Sequence, residues 1–128
     1  MIVLDTHVLL WWSQQPELLS NTAAAAIDSA DRLLLPSICF WEAALLVRKG
    51  RFALKRGQPV TEWAKDILAI PRVIAVALTP ELALTADALE MHSDPADRFI
   101  AASALSRQAP LVTKDDALRV LPWLSTVW

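Results

Sequence analysis

The sequence predicts an α/β domain in which a parallel sheet is covered by helices on both faces. Three observations predict it. Unbroken apolar runs recur at Ile2–Leu4, Leu33–Leu35, Val73–Leu78 and, more briefly, at Leu111–Val112, and a strand buried on both faces reads as such a run rather than as an alternation. Helical segments separate the runs, the strand–helix order of a parallel sheet. Helix-start signals such as Thr79-Pro80-Glu81 and Asp94-Pro95 punctuate the chain between them.

The elements follow in order. Ile2–Leu4 is a buried strand ending at Asp5. The spacing of Val8, Leu9, Leu10, Trp11 and Trp12 predicts a helix that stops near Pro16, and Ser20 is placed to cap a second through the alanine run Ala23–Ala26. Leu33–Leu35 is the second strand, stopped by Pro36. Ser37 opens a long helix through Trp41, Glu42, Leu45 and Leu46 to Lys49, with Gly50 as its stop. Gly57 and Pro59 mark a turn, after which Thr61 is expected to cap a helix through Trp63 and Ile67. Val73–Leu78 is the third strand. Thr79-Pro80-Glu81 then begins a helix with a cap, a proline in the first turn and an acid. Asp94-Pro95 repeats that signal before Phe99–Leu105. Leu111–Thr113 is the fourth strand, ending at Asp115, and the tail Val120–Trp128 is expected to add a helical turn and an edge strand. No repeat or linker divides the chain, so residues 1–128 read as one domain.

Apolar residues make up 55% of the sequence and only two glycines interrupt them. That is enough for a core, and rich enough that some apolar surface is expected to meet a second copy or a partner. No apolar stretch approaches the ~20 residues that span a bilayer. The opening Met1–Asp5 has no basic leader and meets a charge at once, unlike a signal peptide. Cys39 is the sole cysteine, so a cytoplasmic protein is the expectation. A net charge of −2 argues at first against a nucleic-acid partner. Its distribution matters more: Arg48, Lys49, Arg51, Lys55 and Arg56 gather five of the twelve basic residues in one strip.

Asp5 and Asp115 stand just past the C-terminal ends of expected strands, the edge where open α/β sheets bind ligands. Glu42 lies about one turn into the helix after the second strand, and Asp97 lies in the first turn of the helix before the fourth. A parallel sheet therefore brings four carboxylates to one end. Such a cluster raises its own pKa values unless a cation compensates. No histidine or cysteine cluster joins it, which argues against a soft metal, whereas oxygen ligands suit Mg²⁺ or Mn²⁺. Ions of this kind bind phosphate oxygens and lower the pKa of a bound water, which points to phosphodiester hydrolysis. Taken singly, each acid reads more readily as a surface group that solvates a helix end, but four at matching ends of successive strand–helix units are harder to dismiss. Thr6, Ser37 and Thr113 are candidates to orient carboxylates or waters, or else ordinary caps.

These residues also carry a family likeness. Leu4-Asp5-Thr6-His7, Trp11-Trp12, Ser37 with Trp41-Glu42, His92-Ser93-Asp94-Pro95-Ala96-Asp97-Arg98 and Leu111-Val112-Thr113-Lys114-Asp115 occur in order and nearly end to end. Together they resemble the PIN domain family, and within it the VapC-type toxins of bacterial toxin–antitoxin pairs. The resemblance implies a three-layer α/β/α fold around a central parallel sheet. It further implies Mg²⁺-dependent endoribonuclease activity on RNA, inhibition by a cognate antitoxin, and a homodimer. It places the acidic set on Asp5, Glu42, Asp97 and Asp115, with Asp94 an additional acid of the Asp-Pro-x-Asp-Arg pattern. His7 stands where many PIN domains carry a small polar residue. Asp94 is expected mainly to cap its helix, while Asp97 reaches back toward the strand ends and the metal.

Other features have two readings. His7 and His92 lack a partner motif for a metal and read as hydrogen-bonded structural residues. The tryptophans suggest base-stacking platforms. Trp11, Trp12, Trp41 and Trp63 nevertheless fall among apolar helix positions, where core packing or an interface is expected; Trp123 and Trp128 are undecided. The basic strip from Arg48 to Arg56 binds RNA phosphates or the antitoxin, or is merely solvated. Two rival classes remain. A receiver-type signalling domain needs adjacent acids after its first strand, but Thr6 and His7 follow Asp5, and no aspartate directly follows Leu33–Leu35. The other is a catalytically inactive PIN-fold binding module, and the presence of every family acid gives it no support.

Overall fold

A computed structural model describes all of residues 1–128. Five strands, β1 (Ile2–Leu4), β2 (Leu33–Pro36), β3 (Val73–Val76), β4 (Leu111–Val112) and β5 (Thr126–Val127), pair in parallel in the order β3-β2-β1-β4-β5. Seven helices join them: α1 (Thr6–Gln14), α2 (Asn21–Ser29), α3 (Ser37–Arg48), α4 (Val60–Leu68), α5 (Pro80–Ala88), α6 (Pro95–Ser106) and α7 (Asp116–Arg119). Leu33, Leu34 and Leu35 are all buried. Successive strand residues point to opposite faces, so helices cover both sides of the sheet, as the apolar runs imply. The edge strand β3 departs from this pattern, with Ile74 and Ala75 exposed, and it ends at Val76 rather than Leu78.

Local chemistry sets most helix starts. Ser20 accepts the Ala23 N–H at 3.0 Å and Thr79 accepts the Leu82 N–H at 3.1 Å, each satisfying a donor that the first turn leaves free. Thr61 does not cap α4. That helix begins at Val60, after Pro59, without a side-chain cap. Starting there brings Val60 and Ala64 onto the same face as the buried Trp63 and Ile67. The helical turn expected in the tail forms earlier, as α7, because Asp115 caps it through the Ala117 N–H at 2.9 Å. β5 is the expected edge strand.

Helix α6 is not amphipathic. Ile100, Ala101, Ala102, Ser103 and Ala104 are consecutively buried, which uses part of the apolar excess inside the fold. Its small side chains let it lie close to β1, β2, α3 and α5.

The sheet order positions a crevice. From β1 the chain builds outward through β2 and β3, then returns to the other side of β1 with β4 and β5. Connections leave β1 and β4 in opposite directions, and ligands bind beyond the carboxyl ends of strands at such a reversal. Asp5 follows β1 there, and Thr113 to Asp115 follow β4.

Candidate active site

The crevice is a cleft of about 530 Å³ whose lining includes Asp5, Thr6, Glu42, Asp94, Asp97 and Asp115. All five acids singled out in the sequence therefore meet in one place. Asp5, at the N-cap of α1, is buried, accepting the Thr6 N–H and the Thr113 hydroxyl, each at 2.7 Å. The Thr113 oxygen in turn accepts the Asp115 N–H at 3.0 Å, linking the β1 and β4 ends. The Thr6 hydroxyl donates to Glu42 on α3. Asp94 caps α6 through the Ala96 N–H at 3.0 Å, and Asp97, one turn on, meets the His92 ring Nε2 at 2.8 Å. The helix-starting ends of α1, α6 and α7 thus face the acids with their partial positive charge.

Thr6 and Thr113 orient carboxylates as their positions suggest. Ser37 does not: its hydroxyl donates to the Val76 carbonyl at 2.9 Å and ties α3 to β3. Each carboxylate accepts a hydrogen bond from a partner of its own, and no three acids close on one point as a finished ligand cage.

The electrostatics are those of a site short of positive charge. Burial pushes the Asp5 carboxyl up, against the Thr113 and Thr6 hydrogen bonds that lower it. Burial raises Glu42 to about 6, with repulsion from Asp5 and Asp97 adding to it. Asp97 is raised by burial and then by Asp94, Asp5 and Asp115, while the His92 bond opposes the shift. The only ammonium lining the cleft is Lys114, which makes no salt bridge. Oxygen donors, with the burial and mutual repulsion of Asp5, Glu42 and Asp97, fit a hard divalent cation, which these three and Asp115 would hold.

A pH dependence follows. Acids whose pKa is raised by folding bind protons more tightly in the native state, so native stability falls as pH rises through their native values. Without divalent ions, the melting temperature is expected to climb by a few °C between pH 7.5 and pH 5.5 as Glu42 protonates. Asp31, lowered by the N-terminal ammonium, loses its contribution only at more acidic pH. Thermal melts in EDTA across this range check the sign; a steady fall on acidification would contradict it.

Sequence reasoning missed Arg98. Its guanidinium donates to the carbonyls of Ala86 (2.9 Å), Asp87 (3.3 Å), Leu89 (3.0 Å) and Met91 (2.8 Å). It closes the carbonyl end of α5 and holds the segment that leads to His92 and Asp94. The Asp-Pro-x-Asp-Arg pattern carried the signal, but nothing local showed where the guanidinium would point.

The basic strip lies outside the cleft. Arg48 is six residues beyond Glu42 on α3, about 9 Å along the axis. The Lys55 N–H is fixed to Gln14, at the end of α1 remote from Asp5. Lys49, Arg51 and Arg56 are exposed in the same region. The tryptophans divide. Trp63 is buried and Trp12 packs on the core, but Trp41 is 57% exposed beside Glu42 and Trp11 lines the cleft. Of the two readings, core packing fails for Trp41, which leaves the interface one, while Trp11 is half-buried at the cleft wall.

The model of the PIN domain matches residues 2–124. The chain belongs to the PIN domain family. It is 40% identical to Ribonuclease VapC22 of Mycobacterium tuberculosis, over 99% of this chain and 98% of that one. Solved structures share the fold at lower identity. VapBC2 from Rickettsia felis, crystallised with a DNA fragment from its promoter, superposes with a TM-score of 0.70 at 17% identity, covering 98% of this chain and 97% of that one. A toxin–antitoxin complex from Klebsiella pneumoniae gives 0.68 at 16%, covering 100% and 97%. The three-layer α/β/α expectation holds. No helix is long and apolar enough to cross a membrane.

Proposed function

We propose that the protein is a VapC-type endoribonuclease, the toxin of a type II toxin–antitoxin pair, acting in the cytoplasm with Mg²⁺ or Mn²⁺. One observation carries this reading: carboxylates from four separate elements, Asp5 buried and Glu42 and Asp97 half-buried, line one cleft at the sheet's reversal, and no lysine or arginine pairs with them. Kinship with a protein named as a ribonuclease supports the same chemistry. When bound, the ion supplies an activated water and neutralises charge on the phosphate. The chain's own residues do the rest. Thr113 and Thr6 fix Asp5 and Glu42, His92 fixes Asp97, and Asp94 stands at the margin chiefly as a cap.

Hydrolysis by water leaves the RNA 2′-hydroxyl idle, so products are expected to carry linear phosphate ends. End analysis of the fragments checks this, and a 2′,3′-cyclic phosphate would contradict it. Asp94→Ala is expected to lower stability by about 1 kcal/mol, through loss of the cap, and to leave measurable cleavage. Denaturant unfolding and an RNA assay test both halves; a stable but inactive variant would reverse the division between Asp94 and Asp97.

A cognate antitoxin is the proposed inhibitor, covering apolar helix surface such as the exposed Trp41 and presenting a cation to the acids. A homodimer is proposed from the remaining apolar surface, where Leu84 is 73% and Leu68 49% exposed. The strip of Arg48, Lys49, Arg51, Lys55 and Arg56 belongs in this reading to RNA phosphates or the antitoxin, away from the cut.

A further inference from the structure

One wall of the cleft has no task in carboxylate chemistry. Trp11 is the sole apolar side chain lining it. Its indole lies 5.7 Å from the His7 ring and 5.8 Å from that of Trp128, tilted by 50° and 54°. The Lys114 ammonium stands 5.9 Å from the indole centroid. His7 and Trp11 are four residues apart on α1 and share a face one turn beyond Asp5. Trp128 arrives from the chain end past β5, and Lys114 from the segment after β4. Aromatic rings from two remote parts of the chain thus meet at one lip. Core packing would bury the indole, as it does Trp63, which is 2% exposed with its N–H on Ser13 at 3.0 Å. Trp11 instead borders the open cleft.

We propose that Trp11, braced by His7 and Trp128, is a stacking platform for one unpaired base of the RNA, and that Lys114 binds a neighbouring phosphate. The new element is the assignment of base contact to Trp11 and phosphate contact to Lys114, and it rests on the ribonuclease reading above. A base inside a duplex is stacked on its neighbours and reaches the indole only by being pulled out. Stacking on an aromatic side chain changes affinity roughly 5- to 150-fold per base.

The test uses a 5′-fluorescein-labelled 12-nucleotide RNA of mixed sequence, single-stranded or annealed to its complement. Anisotropy with Mg²⁺ is read on an Asp5→Asn background, chosen to suppress cleavage, with the RNA verified intact on a gel after each reading. Trp11→Phe keeps a π-face and Trp11→Leu keeps apolar bulk without one, and melting curves verify that both fold. The single strand is expected to bind at least about fivefold tighter than the duplex. Trp11→Leu is expected to erase that preference and Trp11→Phe to retain most of it. Lys114→Ala is expected to reduce the slope of log affinity against log salt by about one phosphate contact. Equal binding by the Phe and Leu variants, or no preference for the single strand, overturns the inference. A parallel digest of random-sequence RNA by the unsubstituted protein separates the two levels. Cleavage there with equal Phe and Leu binding sinks the platform alone, and no cleavage sinks the ribonuclease reading as well.

Discussion

Replacing Asp5 by asparagine is expected to lower RNA cleavage by more than about 100-fold, beyond what loss of an outer-shell partner costs, while leaving the fold intact. Asparagine is nearly the same shape and is itself a good N-cap, so the Thr6 N–H keeps an acceptor. The Thr113 hydroxyl can rotate to accept from the new amide, so the link to β4 need not be lost. What disappears is a buried negative charge whose pKa burial has already raised. In EDTA at pH 7.5 the melting temperature is therefore expected to stay level or rise, because removing the charge relieves repulsion of Glu42 and Asp97. A divalent ion should raise the melting temperature of the unsubstituted protein and do so far less in the variant. Activity near the unsubstituted level, with the fold intact, would exclude Asp5 from the chemistry.

Arg98→Ala is expected to cost about 3 kcal/mol, the scale of losing charge-assisted hydrogen bonds that share one donor group. Four carbonyls lose their common partner. For a chain of this length that is a fall of about 10 °C in melting temperature. Cleavage is expected to fall as well, because the segment held by Arg98 runs into His92 and Asp94, and His92 fixes Asp97. Lysine is not expected to rescue, since one ammonium cannot span carbonyls that the guanidinium reaches with two nitrogens. Thermal melts and a cleavage assay on the Ala and Lys variants test this. Full stability of Arg98→Ala would show that the carbonyls find water at no cost.

What the sequence discloses is what short-range chemistry decides. The caps at Ser20, Thr79 and Asp94 involve donors two or three residues away, and each forms as its residue type implies. The convergence of Asp5, Glu42, Asp97 and Asp115 is also legible, because parallel strands bring their carboxyl ends to one edge whatever the detailed packing. Features that depend on the facing surface are not. Trp41 and Trp63 occupy similar apolar helical contexts, yet one is exposed and the other buried, since only the neighbouring elements decide which turn faces inward. Thr61 looks like a cap, but burial of Val60 starts α4 earlier. The meeting of Trp11 with Trp128 joins opposite ends of the chain, and no local pattern announces it.

The most direct test of the metal-carboxylate account is cleavage of a labelled random-sequence RNA by metal-stripped protein, followed as Mg²⁺ or Mn²⁺ is titrated in and then chelated. The account predicts no cleavage before the ion, cleavage that saturates with it, and arrest on excess EDTA. Full cleavage by the stripped protein in EDTA would contradict it.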